Sequence, residues 1–142
     1  MNPFRRAAES SEYPKTDAGT GSFNQYSYSL VPKNKRVTMQ LAGSDPFQDE
    51  IRRIRDLAGP QYEVFFAKRT AEEERTDAPM TARFFAESRM SGTVGYVPRG
   101  LEPLVIQTLA RLDDSGRSTR IPAEIATTRN GLRVVLLMGL TR

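Results

Sequence analysis

The residues of this chain that could do chemistry are its arginines, lysines, carboxylates and aromatic rings. Its 142 residues include no histidine and no cysteine. A Ser-His-Asp triad, a Cys-His pair and a thiolate nucleophile are therefore excluded. So are a zinc site built from Cys and His and a disulfide framework. The densest carboxylate group is Glu72-Glu73-Glu74 with Asp77. Oxygen ligands of this kind could hold Mg²⁺ or Ca²⁺. EF-hand spacing is absent, however, and no second cluster stands beside it for two-metal hydrolysis, so a solvated acidic loop is expected. Catalysis by carboxylates and arginines alone needs acid and base groups with tuned pKa values. No such pairing is visible, and a binding protein without catalytic residues, cofactor or metal is expected. Gly92, Gly95 and Gly100 do not have the spacing or context of a nucleotide-binding glycine loop.

Binding chemistry is better represented. Arg99 follows Pro98 at an expected strand-to-helix junction. Backbone N–H groups at a helix start favour an anion, and a guanidinium beside them would clamp a phosphate. Tyr96 lies between Val94 and Val97. On an outer surface its ring would stack on a base, worth roughly 1–3 kcal/mol. Lys68, Arg69, Arg83 and Arg89 fall at the ends of two expected strands, where a hairpin would gather them into one basic rim, with Glu87 and the acidic loop close enough to neutralise it. Phe65-Phe66 and Phe84-Phe85 are consecutive pairs. Neighbours on a strand point to opposite faces, so one ring of each pair enters the core. The other is covered by a helix or a docked segment, or is left outside as a stacking platform for single-stranded nucleic acid.

The elements that must position these groups can be read along the chain. Residues 1–36 are rich in Ser, Gly, Thr, Asn and Pro and read as a flexible polar tail, in which Ser22 to Leu30 is an aromatic-polar run able to dock as a strand or meet a partner. The tail holds six basic and three acidic residues. Of the chain's 21 basic and 17 acidic residues, 15 and 14 then remain for residues 37–142. Nucleic-acid contact by the folded part must come from a local patch, although the net charge is +4. Folding is expected to begin at Val37, with Val37, Met39 and Leu41 at strand spacing. Asp45-Pro46 reads as an N-cap and first helical residue. Phe47, Ile51, Ile54 and Leu57 form the apolar face of the helix, and Gly59-Pro60 ends it. Strands follow at Tyr62–Lys68 and Thr81–Glu87, with Ser91-Gly92 as the turn into Thr93–Val97. A second helix carries Leu101, Leu104, Val105, Thr108, Leu109 and Leu112. The last two strands, Ile121–Thr128 and Leu132–Leu137, flank Asn130-Gly131, the sequence of a two-residue type I′ turn. The order β-α-β-β-β-α-β-β predicts a mainly β, α+β domain. Its six short strands form a small curled antiparallel sheet or barrel with two helices.

The run Gly92-Thr93-Val94-Gly95-Tyr96-Val97-Pro98-Arg99, followed by an amphipathic helix, resembles the most recognisable part of HIRAN domains. The element order agrees over roughly residues 37 to 138. Where that family carries an N-P-Y-D motif, Asp77-Ala78-Pro79-Met80 keeps the proline and the loop position but not the aromatic-acidic pair. The resemblance implies an OB- or SH3-like barrel over 37–142 that binds DNA, single-stranded or at a 3′ end. It implies Arg99 on phosphate, Tyr96 and Phe47 on a base, and Lys68 and Arg83 as a backbone rim. The alternative, favoured by the near-neutral folded part, is a protein-interaction module with the same barrel and no DNA affinity. No signal peptide follows Met1-Asn2-Pro3-Phe4-Arg5-Arg6, and no apolar run approaches the roughly 20 residues of a membrane span. A cytoplasmic protein without a membrane partner is expected.

Overall fold

The structure, a computed structural model, describes residues 13–58 and 62–142. Six strands are present: β1 (Met39–Gln40), β2 (Tyr62–Phe66), β3 (Thr81–Ala86), β4 (Arg89–Tyr96), β5 (Arg120–Thr128) and β6 (Gly131–Leu136). They form one antiparallel sheet in the order β1-β6-β5-β2-β3-β4. The sheet curls until its two edges approach. Ala42, just past β1, pairs with Tyr96 at the end of β4 through N–H···O bonds of 2.8 Å in both directions. The expected small, barrel-like α+β fold with six strands is therefore present.

Alternation explains which side chains enter. Tyr62, Val64 and Phe66 on β2 are buried, whereas Glu63 and Phe65 between them are partly exposed. They meet Phe84, Val94, Ile121, Val134 and Leu136 in the core. Helix α1 (Gln48–Ala58) presents Ile51 and Ile54 to that core. Leu57, expected on the same face, is 56 % exposed. The helix α3 (Glu102–Asp114) buries Leu104, Val105, Thr108 and Leu112 at the expected period.

Three local expectations change. The acidic connection is partly helical: α2 (Ala71–Arg75) forms because Thr70 and Glu73 make a reciprocal capping box. The β3–β4 turn lies at Glu87-Ser88, with φ of 53° and 62°, not at Ser91-Gly92. Ser91 is buried within β4, where its hydroxyl accepts from Phe84 N–H and donates to Gly92 C=O across a register shift. The β5–β6 hairpin is present, but Arg129 and Asn130 are its turn residues and only Gly131, at φ 113°, is left-handed. The turn is thus not type I′. Gly59-Pro60, expected to stop α1, lies outside the described residues, as do Arg5 and Arg6 of the tail.

The boundary expected at Val37 also shifts. Residues 13–36 pack on the sheet rather than trailing from it. Thr20 pairs with Gln40 at the β1 edge, and Tyr26 is buried. Asp17 is buried too, and its carboxylate accepts from the N–H groups of Ser44 and Asp45 at 2.9 and 2.8 Å. The expected cap of α1 by Asp45 is replaced by this carboxylate, from 28 residues earlier in the chain.

Candidate nucleic-acid interface

The side chains between the buried positions of β3, β2 and β5 form the outer face of the sheet. Register fixes their neighbours: Arg83 lies opposite Phe65, and Phe65 opposite Arg120. An aromatic ring is thereby flanked by two guanidinium-bearing residues in one row. In the next row Phe85 lies opposite Glu63, and Glu63 opposite Pro122. Arg83 is exposed and has no hydrogen bond or ion pair among the described residues. Arg120 is more constrained. Its Nε donates to Glu63 at 3.0 Å, and its guanidinium carbon lies 4.1 Å from the Phe85 ring centroid. A cation–π contact at such a half-exposed site contributes about 0.5–1 kcal/mol. Phe66 and Phe84 enter the core, so the outward rings are Phe65 and Phe85.

The other expected site residues fall into separate groups. Tyr96 and Phe47 do come together, with ring centroids 6.0 Å apart and planes at 60°. A third ring, Tyr13, stacks on Tyr96 at 6.0 Å and 23°. Gly43, at φ 69°, permits this approach, because a Cβ there would lie 2.7 Å from Tyr13 and 2.8 Å from Tyr96. Tyr96 pairs with Thr81, two residues before Arg83 on β3.

Arg99 sits at the junction before α3, as expected, but between carboxylates. It bonds Asp77 at 2.8 Å and approaches Glu102 at 3.3 Å, and it also donates to the Asp77 carbonyl. Glu102 in turn accepts from Gly100 N–H at 2.8 Å, so its carboxylate occupies the start of the helix. Arg69 joins the same cluster, 3.6 Å from Asp77 and donating to Ala78 C=O at 2.9 Å. The exposed Lys68 borders a cavity of about 400 Å³ between the end of β2 and α3, together with Glu74, Met80, Ile106 and Asp113. The basic rim is therefore divided: Arg69 lies against Asp77, Lys68 borders the cavity, and Arg83 stands on the sheet face.

The acidic run that could have held a cation is used locally. Glu72 pairs with Arg75, Glu73 caps Thr70, and Asp77 serves the two arginines. Among the described residues no group of three or more Asp or Glu is arranged to hold a metal ion. Elsewhere, Glu50 ties α1 to β4. Its carboxylate accepts from Arg53 and from Gly92 N–H, and both bonds hold it below the usual carboxylate range.

A second, larger cavity of about 740 Å³ opens at the far end of this face. Phe85, Pro122, Leu137 and Leu140 give it an apolar floor, and Glu63, Glu87 and Glu124 lie along it. Sequence reasoning named Arg83 and the outward phenylalanines but missed Arg120 and Tyr13. Arg120 only precedes an apolar run, and its role depends on the β2–β5 register. Tyr13 belongs to a segment with no apolar period. Among the described residues no helix is long and apolar enough to cross a membrane. No family model, no curated protein and no solved structure matches this chain.

Proposed function

We propose that this chain is a non-catalytic module that binds single-stranded nucleic acid on the outer face of β3, β2 and β5. The observation that carries the reading is the row Arg83–Phe65–Arg120. A base would stack on Phe65, worth about 1–3 kcal/mol, while the unpaired Arg83 on one side meets a flanking phosphate and Arg120, held by Glu63, borders the ring on the other. Only one local patch is required, which suits a folded part whose bulk charge is close to neutral. The finer reading rests on the resemblance of Gly92–Arg99: a HIRAN-type, OB- or SH3-like barrel that takes a DNA 3′ end at Tyr96, Phe47 and Arg99, with Lys68 and Arg83 on the backbone.

The test is fluorescence anisotropy with a labelled single strand, beside a blunt duplex, at two salt concentrations. Phe65→Ala should weaken binding about 5- to 150-fold, the range expected for one lost base stack. One phosphate neutralised by Arg83 gives a slope of log K against log salt of about −0.7. A preference for a free 3′ hydroxyl over a 3′ phosphate, abolished by Arg99→Ala, supports the finer reading. End-independent binding that needs Phe65 and Arg83 supports the sheet face alone. Absence of binding at micromolar protein overturns the nucleic-acid reading. The competing protein-interaction reading draws on the acidic, apolar cavity at the other end of the same face.

A further inference from the structure

The outer face of the sheet is polarised. Arg83 and Arg120 stand at one end, and Glu87 and Glu124 at the other, beside the 740 Å³ cavity. Arg120 and Glu63 bond to each other at the border. Beyond that border the floor is apolar. Leu140 is 52 % exposed, although Met138 and Thr141 in the same short turn are buried. Phe85, Pro122 and Leu137 complete a concave surface. The size falls within the roughly 300–1,000 Å³ of small-molecule sites.

Charge decides what can enter. Glu63 is neutralised by Arg120, but Glu87 and Glu124 have no ion pair or hydrogen bond among the described residues. Both are exposed at the mouth of the cavity. Two unpaired carboxylates beside an aliphatic floor repel a phosphate backbone and attract a cation that carries apolar surface. We infer that this cavity docks a short cationic and aliphatic segment of a partner protein. Leucine-like side chains would lie on Leu140, Leu137 and Phe85, and lysine or arginine would reach Glu87 and Glu124. The site adjoins the Phe65 platform at the Arg120–Glu63 pair but uses neither Phe65 nor Arg83, and it stands whether or not that surface binds nucleic acid.

The test uses the full chain and a fluorescein-labelled peptide of alternating lysine and leucine. Alternating lysine–serine and glutamate–leucine peptides are the controls. The lysine–leucine peptide should bind and the other two should not. Leu140→Ser should weaken it about tenfold, as for half of a buried leucine side chain. Joint replacement, Glu87→Lys with Glu124→Lys, should reverse the preference towards the glutamate–leucine peptide. All three positions are exposed, and a thermal melt checks that the variants remain folded. Phe65→Ala should leave peptide binding unchanged, which keeps this result independent of the nucleic-acid test. Equal binding of the lysine–serine peptide would overturn the inference, because charge alone would then suffice. So would indifference to the charge reversal, or self-association through Leu140 that excludes the peptide.

Discussion

Arg133 has its guanidinium inside the protein, on a strand otherwise made of leucine, valine and one glycine. Its Nε lies 3.6 Å from the buried Asp17, and Nη2 bonds Asp45 at 2.7 Å. Nη2 also donates to the carbonyls of Asn130 and Thr16, and Nη1 to that of Leu132. A charge so deep is tolerated only when paired and hydrogen-bonded. Removing the cation leaves Asp17 buried and unbalanced. Arg133→Ala is expected to lose about 3–5 kcal/mol in urea unfolding. Arg133→Lys will recover only part of this, since an ammonium cannot reproduce the planar fork. Tyr26 gives a second prediction at this scale. Burial pushes its phenol up to about 12, against the opposing pull of the Arg111 cation. The folded state thus keeps a proton that the unfolded chain releases near pH 10. The stability this group contributes is intact below pH 10 and is lost as pH rises towards 12. Absorbance titration should show one of the five tyrosines ionising last, and Tyr26→Phe should remove that component.

The short helix α2 shows how a few residues set the fate of Arg99. Its capping box fixes the chain entering at Thr70. The N–H groups of Thr76 and Ala78 bond back to Glu72 and Glu73, and Asp77 between them takes φ 55°. That geometry holds the Asp77 carboxylate between Arg69 and Arg99. Thr70→Ala should cost about 1 kcal/mol of local stability. The measurement is amide exchange, with faster exchange expected at Thr76 and Ala78 and little change in β5 or β6. Strands and long helices at this scale were legible because burial imposes periods of 2 and 3.6 on their residues. The capping box has its sequence signature, Thr70 three residues before Glu73, but no apolar run follows it to mark a helix. The β3–β4 turn was missed for a similar reason. Glu87-Ser88 lacks glycine, so nothing local announces two left-handed residues.

For the whole molecule, residues 13–36 are part of the fold. They bring Asp17 to the start of α1, Tyr13 to Tyr96 and Thr20 to the free edge of β1. A chain beginning at Val37 should therefore melt at least about 10 °C lower, since it leaves Arg133 short of a buried partner. Circular dichroism against temperature checks this. An unchanged melting temperature would show that the segment only rests on the surface. The same scale explains the division of surface charge. Near-neutral balance over residues 37–142 conceals a face with arginines at one end and unpaired glutamates at the other. Two ligand chemistries of opposite sign can then share one sheet.

Local pattern along the chain is enough for the mainly β character, the succession of six strands and two main helices, and the β5–β6 hairpin. These follow from hydrophobic period and turn-forming residues, which act over a few positions. Composition alone excludes histidine, cysteine and thiolate chemistry. The rest depends on contacts between distant segments. Which arginine stands beside which phenylalanine depends on strand register, and register is set by pairing between distant segments. Arg83 and Arg120, 37 positions apart, flank Phe65 only because β3 and β5 both pair with β2. Arg99, with the same side chain, is consumed by Asp77 and Glu102 because the loop before β3 folds back onto the start of α3. A side chain's type can be read locally, whereas its partners are a property of the folded chain.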